Sequence, residues 1–198
     1  MNRSFLDRLV SATGAIVGVV LLAAAALLFF AHSYVHGQVA DQLREQQITF
    51  PAAGSQAITS LPRADQDEIS KYAGLTMETG AQAKAFADHY IAVHLNESTG
   101  GKTYSELSAL SRAAPDDAKL SGQVNTAFKG ETLRGMLLNA YAFGTMAKIA
   151  LYGAIVAFVG AGVLLLLALL GAIHARRTDP EAAIGAIPVT RRDVVTVS

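Results

Sequence analysis

Two apolar blocks, Leu9 to Ala31 and Ile149 to Ile173, constrain this chain more than any other feature, because neither contains a charged residue. At about 1.5 Å per residue they make helices of about 34 and 37 Å, enough to cross a hydrocarbon core of about 30 Å with some tilt. A core helix of a water-soluble protein is normally amphipathic, whereas these blocks are apolar on every side. They are therefore expected to be transmembrane helices, with the lipid bilayer as the chain's first partner. They also explain a hydrophobic content of 52% and a mean hydropathy of +0.34 over 198 residues.

The first block follows Arg3 and Arg8 and contains alanines at 23 to 26, which invites comparison with a cleavable signal peptide. The apolar stretch of such a peptide runs about 7 to 15 residues, so the longer block here reads as an uncleaved anchor. Orientation follows from the positive charge at the membrane ends. Residues 32–148 carry ten Lys/Arg and twelve Asp/Glu, whereas the two flanks carry six and four. Arg3, Arg8, Arg176 and Arg177 lie hard against the spans on the flank side. Lys148 is the one opposing charge at an edge, where a lysine snorkels to the headgroups. Both termini are thus expected in the cytoplasm. The expected organisation is a cytoplasmic N-terminus (1–8), transmembrane helix 1 (9–31), an extracytoplasmic helical domain (32–148), transmembrane helix 2 (149–173) and a cytoplasmic disordered tail (174–198) rich in proline, glycine and mixed charge.

The formal net charge of zero provides no footprint for nucleic acid. Zero cysteines exclude disulfides and thiolate metal sites, so the domain must be held by packing.

The domain reads as all-α. Val35, Val39 and Leu43 recur at a spacing of four, which carries the first helix beyond the bilayer to about Gln47. Phe50-Pro51 and Leu61-Pro62 mark loops, with a short helix expected from about Asp65 to Ala73 and Gly74 as its stop. Thr79 with Gln82, and Thr103 with Glu106, are capping-box signals for helices from Gly80 to about Leu95 and on to about Ala113. Pro115-Asp116-Asp117 reads as a further helix start. From Glu131 nothing breaks a helix before Arg177. Both spans thus run on into the domain, and spans and bundle are expected to move as one body. Gly14 with Gly18, and Gly153, Ala157 and Ala161, form small-xxx-small patterns that let helices approach closely in lipid.

Histidines are the residues best suited to chemistry near neutral pH. His32 and His36, four apart, share a helix face and are a candidate metal pair. His89 and His94, five apart, point about 140° away from each other on a straight α-helix. His94 and Glu97 lie one turn apart, so His89, His94 and Glu97 with Asp88 nearby form a looser candidate group. No third ligand follows from local spacing at His32 and His36, and solvation or an interfacial position explains each histidine without metal. His174 sits at the end of the second span, where the helix dipole favours it. Asn96-Glu97-Ser98 fits a glycosylation sequon. No nucleophile elbow, phosphate loop or dinucleotide fingerprint is present, and no catalytic residue and no cofactor is assigned.

The segments GAQAKAFADHYIAVHL (80–95), GKTYSELSA (101–109) and FKGETLRGMLLNAYAFGTM (128–146) resemble an uncharacterised family of small actinobacterial two-pass membrane proteins. Some of its members carry an aromatic ring-opening dioxygenase label. The resemblance implies the two-pass topology from the first span through Arg177 and an actinobacterial origin. Dioxygenases of that kind need clustered histidine and carboxylate ligands around iron, whereas here the histidines are scattered along the chain, so no catalytic residue is carried over. Two functions are consistent with these residues. One is a non-enzymatic accessory or partner-binding subunit of an envelope or respiratory membrane complex, docking a membrane protein or a second copy of itself. The other is an extracytoplasmic ligand or metal sensor, or a metal-dependent enzyme. Tails this short leave no room for a transmitter domain of about 50 residues.

Overall fold

The computed structural model describes residues 3–177, and among them every regular element is helical. Of the expected disordered tail (174–198), residues 174–177 form the end of α7 and the remainder lies outside the described residues. The helices are α1 (Arg3–Glu45), α2 (Gln56–Thr59), α3 (Arg63–Ser70), α4 (Gly80–Phe86), a π-helical segment (Ala87–Ile91), α5 (Ala92–Thr99), α6 (Tyr104–Ala113) and α7 (Ala118–Arg177). The chain divides into two compact units, Met1–Leu28 with Tyr152–Ser198, and Phe29–Leu151.

In the first unit the described segments of α1 and α7 run antiparallel, with Gly14 facing Ala168, Gly18 facing Ala161 and Leu165, and Leu21 facing Gly160. The buried positions are Ser11, Gly18 and Ala25 on α1 and Ala154, Ala161, Ala168 and Ala175 on α7. Each stands seven residues from the next. A seven-residue recurrence is the pattern that keeps two α-helices in continuous contact as a left-handed pair. Small side chains let the backbones close up, since a Cβ on Gly18 would stand 2.8 Å from the Leu165 side chain. Gly153 lies against Leu28, and Ala157 is half-buried at the edge of the seam.

Outside the seam the apolar side chains point away from the pair. Val10, Ile16, Val19, Val20 and Leu27, and Val156, Phe158, Val159, Val163, Leu166 and Leu170, are all exposed. Both α1 and α7 contain an 18-residue stretch apolar and long enough to cross a membrane, and only 11% of each stretch is buried within the protein. A helix in the core of a globular domain is mostly buried.

The second unit has a core of conventional kind. Val39 and Leu43 of α1, Phe50, Ile58, Leu61, Ile69 of α3, Met77, Ala83 and Phe86 of α4, Ala87, and Leu137 of α7 form one buried cluster. The Phe50 ring packs edge-on against Phe86, with centroids 5.3 Å apart. The sequence marks loops at Phe50-Pro51 and Leu61-Pro62, and between them the structure adds the single turn α2, which buries Ile58. It also pairs Thr49 with Thr76 in one antiparallel bridge, with Met77 N–H donating to Ile48 O and Phe50 N–H to Leu75 O. Phe50 and Met77, which flank that bridge, are both fully buried in the cluster.

Both capping boxes form. Thr79 Oγ1 accepts from the Gln82 amide N–H while Gln82 Oε1 accepts from Thr79 N–H, and Thr103 and Glu106 repeat the exchange. Glu106 is held below the usual carboxylate range by the backbone N–H and then the hydroxyl of Thr103. Gly100, in the left-handed conformation at φ 62°, closes α5. The helix anticipated from Pro115 starts at Ala118, with Asp117 accepting from the amides of Lys119 and Leu120. It passes through Gly130 without a break, and the missing side chain there makes room for Leu95.

Gly80 packs directly against the backbone of α7. A Cβ there would stand 2.8 Å from Ala140 O and 2.9 Å from Tyr141 Cα, both backbone atoms that cannot rotate aside. Gly122, by contrast, lies in α7 with open space around it. Gly80→Ala is therefore expected to cost about 1–3 kcal/mol by overpacking. Gly122→Ala is expected to stabilise by up to about 1 kcal/mol through helix propensity. Thermal unfolding of the two purified variants, followed by circular dichroism, should move their midpoints in opposite directions.

Candidate functional site

The second unit carries four histidines, two on α1, one on the π-helical segment and one on α5. His32 and His36 sit one turn apart on α1 with their rings stacked, centroids 5.6 Å apart and planes 19° from parallel. His32 Nδ1 lies 2.8 Å from Ala147 O. A carbonyl can only accept, so Nδ1 carries the hydrogen, and in the neutral ring Nε2 is left as the lone-pair nitrogen. His36 lines a small cleft of about 150 Å³ with Glu78, Thr79, Gly80, Tyr141, Thr145 and Lys148.

The other two histidines follow a turn of wider pitch. Ala87–Ile91 is π-helical, and its closing Ala92 N–H donates to Ala87 O, five residues back. Such single-turn bulges redirect neighbouring side chains and are frequent at functional sites. Here the bulge sends consecutive residues to different elements. Asp88 reaches Arg134 of α7 at 3.1 Å and also pairs with Lys84. His89 donates from Nδ1 to Asp65 Oδ1 of α3 at 2.7 Å. His94, one turn into α5, donates from Nδ1 to Tyr90 O at 2.9 Å and packs its ring against that of Tyr90. Glu97 is exposed.

His89 and His94 thus engage separate partners. Among the described residues no group of three or more His, Asp or Glu side chains is placed to hold a metal ion. His94 instead lines a shallow apolar groove of about 400 Å³ with Tyr90, Ile91, Leu95, Lys129 and Leu133.

Asp88, expected only as a neighbour of the His89, His94 and Glu97 group, is instead a polar centre that ties α4 and the π-helical segment to α7. Burial works against its carboxylate, but hydrogen bonds from Lys84 and Arg134, and their charges, outweigh it and hold its pKa below the usual range. The bond to Asp88 in turn raises Lys84, whose ammonium lies 5.5 Å from the centroid of the Tyr141 ring. Asp88 and Lys84 are an i, i+4 pair and so legible in sequence; Arg134, 46 residues on, is not.

No protein-family model matches this chain, and no curated protein or solved structure is significantly similar to it. The resemblance over residues 80–95, 101–109 and 128–146 therefore remains an expectation.

A carboxylate whose folded pKa is depressed adds stability above its unfolded value of about 3.9, and loses it as pH falls through the folded value. Asp88→Asn is accordingly expected to lower stability near neutral pH by about 1–3 kcal/mol, the usual worth of hydrogen bonds to a charged group. Denaturant titrations from pH 7 down to pH 2 should show the gap between native protein and variant closing below about pH 4.

Proposed function

We propose that this is a two-pass membrane protein with both termini in the cytoplasm. It holds residues 32–148 outside as a non-enzymatic domain that docks another membrane protein, as an accessory subunit of a larger envelope complex. Support for the membrane reading comes from the two long apolar helices and the outward side chains that the seam leaves uncovered. Arg8, Arg176 and Arg177 on the flank side favour the orientation.

The docking reading is carried by one observation. Phe128, Met136, Phe143 and Met146 of α7 are all more than half exposed, and at 100° per residue they fall within an arc of about 80°. Lipid does not account for the upper half of this stripe. Met136 and Phe128 stand about 18 and 30 Å along the helix from Lys148, beyond the headgroup region above the second apolar block. Phenylalanine and methionine on a rigid helix are typical of interface cores, and thioether side chains adapt to an opposing surface.

The absence of cysteine makes topology directly readable. In intact cells a membrane-impermeant maleimide should label Lys102→Cys and leave Ser198→Cys unlabelled until the membrane is opened. For the docking face, a photo-crosslinking amino acid at Met136 should capture a discrete adduct in membranes, and one at Lys102 should not. Met136→Asp with Phe143→Asp should abolish capture by a probe at Phe128, while thermal stability changes by no more than about 0.5 kcal/mol per exposed site. Loss of stability in step with loss of capture would assign these side chains to the fold instead.

A further inference from the structure

At the charged end of the first unit, a cleft of about 620 Å³ beside the seam is lined by Arg8, Ala12 and Ala15 of α1 and by Leu165, Ala172 and Arg176 of α7, among others. Its composition is divided along its length. Arg8 and Arg176, both exposed, contribute two guanidinium groups, and no carboxylate lines the cleft. Asp7 faces a neighbouring cleft with His174 instead. Below the arginines the walls are alanine and leucine, with Ser11 the one other polar side chain. Alanines at 12, 15, 168 and 172 leave a furrow where larger side chains would fill it.

We propose that this cleft is a binding site for one anionic phospholipid, its phosphate held by Arg8 and Arg176 and one acyl chain lying in the alanine furrow. Guanidinium groups match phosphate oxygens in geometry and charge. Basic pockets between membrane helices on the cytoplasmic side are the usual place for anionic headgroups. An uncharged headgroup satisfies neither arginine fully, and a soluble phosphate has no use for the furrow. The proposal rests on the membrane reading above, since only in a bilayer does the furrow meet acyl chains.

The test uses the full chain, extracted in mild detergent and examined by native mass spectrometry with equal amounts of phosphatidylglycerol and phosphatidylcholine. The native protein is expected to retain one phosphatidylglycerol in preference. Arg8→Gln with Arg176→Gln should weaken that binding at least about tenfold, at the usual worth of a basic residue near an anionic lipid surface. Arg177→Gln, outside the cleft, should leave it intact. Ala12→Phe keeps both arginines and fills the furrow from an exposed position, so it should lose the lipid as well. Equal retention of the two lipids by the native protein overturns the proposal. So does a phosphatidylglycerol preference that survives either the double arginine change or Ala12→Phe. Alkaline carbonate treatment of membranes separates this failure from that of the underlying reading. Protein that stays in the pellet without lipid preference contradicts the cleft alone, whereas protein released by carbonate contradicts the membrane reading itself.

Discussion

The narrow seam of small residues between α1 and α7 is the contact on which the first unit depends. Its fully buried positions are Ser11, Gly18 and Ala25 with Ala154, Ala161, Ala168 and Ala175, and half-buried Leu21, Leu28 and Leu165 pack against Gly160, Gly153 and Gly18. Close approach of this kind gains dispersion and costs almost no side-chain entropy. It also has a consequence for everything off the seam. The valines, leucines and phenylalanines that would form a core in water are left facing outward. At roughly 25 cal/mol per Å² of apolar surface, exposing so large an area to water is costly, which is the physical support for the proposed lipid environment. Packing and environment are therefore one problem here.

The second unit solves a different problem with ordinary means. Its aromatic and aliphatic core is enclosed by short helices whose ends are satisfied locally, by two capping boxes, an aspartate cap and a left-handed glycine. Gly80 then lets the start of α4 come down directly on the α7 backbone. Asp88 locks the same face electrostatically through Lys84 and Arg134. What this packing leaves over is the outer face of α7, where two phenylalanines and two methionines remain uncovered.

The parts of this architecture that were legible in the sequence are those with local causes. A hydroxyl three residues before a glutamine or glutamate specifies a helix start by itself, and Thr79 and Thr103 begin helices where expected. Charge-free length identified the two apolar helices. The helix seam was visible only in part, because Gly18 and Ala161 each belong to both a four-residue and a seven-residue spacing, and two facing helices are needed to choose between them. Elements fixed by distant partners were not legible. The Thr49–Thr76 bridge, the turn of α2 and the π-helical bulge at Ala87–Ile91 arise from what packs across them, as does the contact of His89 with Asp65. The histidines illustrate the limit most clearly. Spacing suggested which rings share a face, but backbone carbonyls, a carboxylate and neighbouring rings determine what each one does.

The central claim is that α1 and α7 meet along a small-residue seam and turn the rest of their surface to lipid. The cysteine-free chain allows it to be tested residue by residue with single spin labels at positions 154 to 170 in lipid bilayers. The account predicts that labels at 156, 163, 166 and 170 collide freely with oxygen, which dissolves in the hydrocarbon, and little with a water-soluble nickel complex. Labels at 154, 161 and 168 should be immobile and shielded from both, giving a protection pattern that repeats every seven residues. High accessibility of 156, 163, 166 and 170 to the nickel complex, or protection with no seven-residue period, would contradict it.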